Sequence, residues 1–221
     1  PRLCLVGAID DATSKVAAAF FEEQETSAAY FRLFLEIGRT QGMALSAYAD
    51  RHSIFWTDRE PPVEEQLASK QPKTQVGRAL EELGVTLIPA GSPQAKGRIE
   101  RLWGTFQDRL VSELRLAGAR NKEEAQAVLD KFLPPYNRRF SKPAVKAPPA
   151  WQKVEARRLE QSLCFKYQRT VAKDNTVQFS GALFQIPKQS PHRSYANKKV
   201  QVHVLLDGSV ELFYQGEKIA R

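Results

Sequence analysis

The spacing of apolar residues changes once along this chain, and the change falls at a proline-rich stretch. Before residue 141, short apolar runs alternate with stretches in which apolar residues return about every 3.6 positions. After residue 160 they return at every second position, as in Val200, Val202, Val204 and Val210, Leu212, Tyr214. No single helical bundle or single sandwich satisfies both periods. The pattern demands an α/β part over 1–140 and an all-β part over 160–221, joined by 141–159 as a linker and helix. The linker begins Ser-Lys-Pro-Ala-Val-Lys-Ala-Pro-Pro-Ala.

Within the first part, apolar runs at 3–9 and 15–21 flank the polar cluster Asp10-Asp11-Ala12-Thr13-Ser14, which predicts a hairpin. Ala29, Tyr30, Phe31, Phe34, Leu35 and Ile37 predict a helix over 26–40 capped by Thr26 or Ser27. Residues 44–49 read as a short buried strand that delivers Asp50 at its end. A polar loop with Pro61, Pro62 and Pro72 spans 57–73, followed by a helix over 74–83, a strand over 85–88 and a break at 89–93. Ile99, Leu102, Trp103, Phe106, Leu110 and Leu114 place a helix over 94–116. A last helix over 122–133 is expected to stop at Pro134-Pro135. This β-β-α-β-α-β-α-α order implies a mixed sheet. In the second part Asp207-Gly208 sits between two alternating runs as a hairpin turn, and the whole is expected to form a small antiparallel barrel or sandwich.

Composition removes several function classes. With 42% hydrophobic residues the 221-residue chain can bury a core, and no apolar run approaches the 18 or so residues that span a bilayer, so no membrane role is expected. Two cysteines, Cys4 and Cys164, exclude a disulfide framework and a Cys-rich zinc module, which favours a reducing, cytoplasmic setting. The chain starts inside an apolar run, Leu3-Cys4-Leu5-Val6, and reads as a fragment. Residues 1–90 carry a net charge of −4 and residues 91–221 a net charge of +12. A basic half beside an acidic one suggests a polyanionic partner, against the plain alternative of solvated lysines.

Two carboxylates stand where chemistry on phosphodiesters would need them. Asp50 closes a strand and Glu100 opens a helix after a proline-containing loop. Oxygen ligands of this kind suit Mg²⁺, and paired ions can serve both the attacking and the leaving oxygen. Taken alone, an Asp at a strand end is more often a turn or cap residue and a Glu on a helix is usually solvated. Lys96, one turn before Glu100, is either a phosphate contact or an i,i+4 ion-pair partner. Arg98 and Arg101 flank Glu100, and Arg138, Arg139, Lys142 and Lys146 form a basic stretch beside the linker. All are candidates for DNA backbone contacts or for solvated charge. His52 reads as a loop or DNA contact rather than a metal ligand.

The surrounding strings resemble a known family. Ser92-Pro93-Gln94-Ala95-Lys96-Gly97-Arg98-Ile99-Glu100 resembles the Ser-Pro-Gln-x-x-Gly-x-(Val/Ile)-Glu signature of integrase-core transposases and retroviral-type integrases. Asp50-Arg51-His52-Ser53-Ile54-Phe55 is similar to their strand-end motif, with Arg51-His52 in place of Asn-Gly. Gln107-Asp108-Arg109-Leu110, Leu114-Arg115 and Tyr136-Asn137-Arg138-Arg139-Phe140 are similar to the ISNCY-type branch of bacterial insertion sequences. The resemblance covers about 3–150.

It implies a ribonuclease-H-like core followed by a C-terminal barrel that holds DNA or a neighbouring subunit. It also implies an Asp, Asp, Glu set holding two Mg²⁺ or Mn²⁺ ions, with Asp50 second and Glu100 third. The first carboxylate would lie on a strand before Leu3, and Asp10 and Asp11 would be turn residues. The fragment alone is then expected to bind metal weakly and not to catalyse. The implied activity is cleavage of transposon ends and strand transfer into target double-stranded DNA, by self-associated copies in the bacterial cytoplasm at the nucleoid. The rivals are a catalytically inactive DNA-binding remnant and a ribonuclease-H-like nuclease without strand transfer.

Overall fold

In a computed structural model the described residues are 2–60, 72–91, 93–144, 150–187 and 194–221, with backbone alone for 93–96. Strands β1 (Cys4–Ile9) and β2 (Val16–Glu22) form the expected antiparallel hairpin. Its turn is built by Asp10, whose carboxylate accepts the Ala12 N–H at 3.1 Å and the Thr13 hydroxyl at 2.5 Å. Such local bonds are what Asp contributes to turns. Helix α1 (Ser27–Thr40) begins at Thr26, whose hydroxyl accepts the Ala29 N–H at 3.2 Å, and buries Phe31, Leu33 and Ile37.

The segment expected as one buried strand at 44–49 divides. β3 (Met43–Ala44) pairs antiparallel with β6 (Trp151–Gln152), and β4 (Ser46–Ala49) pairs parallel with β5 (Thr86–Pro89). Leu45 bridges the two, giving its N–H to Ala150 and its carbonyl to Thr86. β4 is not buried, and Tyr48 is 54% exposed. Only one face of β4 is covered: Ala47 and Ala49 pack against the core, while Ser46 and Tyr48 face outward.

Helix α2 (Gln75–Glu82), capped by Thr74, packs Val76, Ala79 and Leu80 into the core beside Phe31. The long α3 (Pro93–Leu116) and α4 (Lys122–Phe140) cross the hairpin and bury Leu102, Phe106, Leu110 and Leu129. Contrary to expectation, α4 continues through Pro134-Pro135 for another turn and more. Two prolines remove two helical hydrogen bonds. Tertiary contacts offset this: Phe132, Tyr136 and Phe140 stack along one face, and the Asn137 amide pairs with both backbone groups of Val16 at 2.9 and 3.1 Å. Burial of an amphipathic face outweighs propensity here.

α5 (Ala156–Ser162) sets Leu159 against α1 and leads into the C-terminal part. There β7 (Phe165–Thr170), β10 (Lys199–Val204), β11 (Val210–Tyr214) and β12 (Glu217–Ala220) form one antiparallel sheet in the order β12-β11-β10-β7. The hairpin β8 (Thr176–Phe179)–β9 (Ala182–Gln185) is a separate pair that adds Val177 and Phe179 to the same core as Val200, Val202, Leu212 and Ile219. The expected barrel therefore does not close. The hairpin covers the sheet by packing and does not pair with its edges among the described residues. This part is tied to α2: the Gln75 side chain brackets the Lys166 backbone at 2.8 and 3.0 Å, and Glu82 binds Lys166 at 2.7 Å and Arg78 at 2.9 Å.

Candidate active site

β1 and β4 each have one strand neighbour among the described residues, and both line a cleft of about 760 Å³. Its walls include Leu33, Phe34 and Ile37 of α1, Trp103 of α3 and Trp151, so it is largely apolar. Trp103, read from periodicity as a core residue, is half-buried here. It comes so near β1 that a Cβ on Gly7 would meet its ring at 3.2 Å. Gly7 thus permits the close approach of α3 to the hairpin.

Asp50, Glu100, Asp10, Asp11 and Arg98 all line this cleft. Asp50 lies one residue beyond β4, whose ladder is extended by the Ala90 N–H bond to the Ala49 carbonyl at 2.7 Å. Its carboxylate accepts the His52 N–H at 3.3 Å, and its carbonyl accepts the Trp56 indole N–H at 2.9 Å. These bonds hold the chain that leaves β4 and keep the Asp50 side chain on the exposed rim. Glu100 projects from α3, exposed, with no hydrogen bond or ion pair among the described residues. Behind them Tyr30 donates its hydroxyl to Glu25. Burial, that bond and the charges of Glu25 and Asp50 push the Tyr30 phenol far above its usual range, so it stays neutral.

The cations divide. Arg98, a candidate DNA contact, is committed within the molecule: its Nε lies 2.8 Å from Asp11 Oδ1 and its guanidinium also donates to the Asp11 carbonyl. The pair ties α3 to the hairpin turn and occupies Asp11. Arg101 is exposed on α3. Arg138 lines a different groove, along β2 between α1 and α4, and Arg139 stands over the Phe140 ring. Lys96 and Lys146 lie outside the described side chains.

Asp50 and Glu100 are hard oxygen donors of the type Mg²⁺ or Mn²⁺ takes. Among the described residues no three His, Cys, Asp or Glu side chains come together as a metal-binding group. Sequence reasoning missed Tyr30 as a cleft residue, because spacing marks it only as part of an apolar helix face. No helix among the described residues is long and apolar enough to cross a membrane.

No family model matches the chain. It is 30% identical over 213 residues to a putative transposase, y4bF, of Sinorhizobium fredii, which covers 96% of this chain and 46% of that protein. It is 34% identical over 133 residues to the transposase for insertion sequence IS1202 of Streptococcus pneumoniae, which covers 60% of this chain and 28% of that protein. The chain thus spans less than half the length of either relative. Both are named as transposases, and the first is similar to this chain over nearly its whole length.

Proposed function

We propose that this chain is the catalytic-core and C-terminal portion of a ribonuclease-H-like, metal-dependent DNA transposase. The observation that carries the reading is that Asp50 and Glu100, 50 positions apart, both line this cleft without a cation partner among the described residues. Asp11 on the same rim already has Arg98. Two divalent ions, when bound, would supply the charge that activates an attacking oxygen and steadies the leaving one. Asp50 from the strand end and Glu100 from the helix would hold them. The apolar walls would limit water around the reacting phosphate.

Cleavage at a transposon end and joining to target DNA are both in-line displacements on a phosphate and differ only in the attacking oxygen, water or a sugar 3′-hydroxyl. One site can therefore serve both. The substrates in this reading are transposon-end and target duplexes, bridged by associated copies. A third carboxylate would have to enter from a strand laid between the free edges of β1 and β4, and in this reading that strand belongs to the rest of the protein.

Calorimetric titration of the full-length protein with Mn²⁺ tests the ligand assignment. Asp50→Asn and Glu100→Gln are each expected to weaken binding at least about tenfold, while Asp11→Asn leaves it unchanged. Equal affinity in all four proteins would sink the assignment.

A further inference from the structure

The junction of α3 and α4 holds an arrangement that the cleft does not explain. Along α4, Phe132, Tyr136 and Phe140 recur every four residues, with ring centroids 5.7 and 4.7 Å apart. Phe106 of α3 meets the first two edge-on at 5.4 and 5.2 Å. This ladder fixes the Phe140 ring at the end of the helix. Two guanidinium groups converge on that ring, Arg109 from α3 at 5.3 Å and Arg139 from α4 at 5.4 Å from the same centroid. Each is within cation–π reach. Since both distances run to one point, the two charges lie within roughly 11 Å of each other.

Neither arginine has a carboxylate partner among the described residues. Arg32 offers the contrast: it stands 4.9 Å over Phe20 and is also ion-paired with Glu22. Two like charges gathered on one ring with no counter-ion repel each other, and an anion between or beside them relieves that repulsion. The guanidinium fork matches phosphate oxygens in pairs.

The pair does not stand alone. Arg101, Thr105 and Arg109 fall at steps of four on α3, which puts them on one face and spreads them over about 12 Å of helix. Lys142, just past α4, gives its N–H to the Thr13 carbonyl at 2.8 Å and so docks that end against the hairpin turn to which Arg98 is also tied. A row of this length exceeds one free phosphate and suits a nucleic-acid backbone, which presents a charge about every 3.4 Å along a strand. Glu100, nine positions before Arg109, lies on the opposite flank of α3.

We infer that Arg109 and Arg139, set on the Phe140 ring, form a phosphate clamp that grips duplex DNA away from the reacting bond. The inference rests on the proposed function and adds an anchor to it. The clamp binds and orients DNA and takes no part in the chemistry.

The test is a fluorescence anisotropy titration of the full-length protein with a labelled random-sequence DNA duplex, repeated across about 50–200 mM salt. Arg109→Gln and Arg139→Gln should each weaken binding roughly threefold to tenfold and reduce the slope of log K against log salt by about 0.9. Arg109→Lys keeps the charge and should keep the slope while losing affinity. Arg32→Gln should behave as wild type. Gln is a good helix former at these exposed positions, so the fold persists, and thermal melting verifies it. In end cleavage, the clamp variants should raise KM for DNA and leave kcat unchanged.

Wild-type affinity and slope in both Gln variants would overturn the clamp alone and leave the proposed function standing. A loss of affinity with no change of slope would also overturn it, as a structural effect. A wild-type protein without salt-dependent duplex binding would overturn both readings.

Discussion

The cleft of the α/β part and the C-terminal sheet handle their charged groups in opposite ways. In the C-terminal part Glu211, 7% exposed, is bound to Lys218 at 2.6 Å, and His203, 5% exposed, stacks on Phe213 with Nε2 3.2 Å from the Gln201 amide oxygen. These groups are enclosed and, apart from His203 Nδ1, engaged. In the α/β part Asp50 and Glu100 stand exposed at a cleft lined by β1 and β4, whose strand pairs do not join among the described residues. Burying a charge is costly unless it is paired, so paired charges inside belong to the architecture. Carboxylates held in the open at the end of a strand and on a helix contribute little to stability. Under the proposed function, their placement is explained by the metal ions they would hold.

Stability measurements can break this comparison. Leu212, fully buried in the C-terminal core, should cost about 4 kcal/mol when changed to Ala, read from urea unfolding. A cost below about 1 kcal/mol would mean that the open sheet and its covering hairpin do not form a tight core.

The pH dependence comes next. Burial holds the His203 imidazole down at about 4, aided by the charges of Lys166 and Arg78 and opposed by those of Glu82 and Glu211. The folded value is depressed, so the contribution is full above the unfolded value of about 6.5 and is lost as the pH falls from there to about 4. The loss is at most about 3 kcal/mol, and His203→Phe should flatten the stability profile across that window. A profile unchanged by the substitution would show that His203 is not the titrating group.

At the cleft, by contrast, Asp50→Asn and Glu100→Gln should each shift stability by less than about 0.5 kcal/mol. A large loss from either would place them with the structural charges and collapse the distinction.

Much of this contrast was readable from the chain where the signals are local. Thr26 before an amphipathic run, the Asp10–Ser14 cluster and Asp207-Gly208 between alternating runs each fix a turn or cap by chemistry within a few residues, and Gly208 indeed takes a positive φ of 83°. What was hidden depends on partners far away. Met43–Ala44 is a strand only because Trp151–Gln152 lies beside it, and α4 runs through Pro134-Pro135 because Phe106 and Val16 hold its far end. At the site, the motif spacing picked out Asp50 and Glu100, and the fold carries both to one cleft. It offered nothing to separate Arg98, which is spent on Asp11, from Arg109, which is not; that difference is set by the hairpin turn.

The central claim is that Asp50 and Glu100 are the metal-holding pair of a DNA-transferring site. Its most direct measurement is Mg²⁺-dependent cleavage and joining of a transposon-end duplex by the full-length protein, comparing wild type with Asp50→Asn and Glu100→Gln. The account predicts a loss of at least about a hundredfold in either variant, since metal charge stabilisation is worth several kcal/mol, with DNA affinity retained. Wild-type activity that survives both substitutions, or an intact full-length protein that binds its ends and never cuts them, would contradict it.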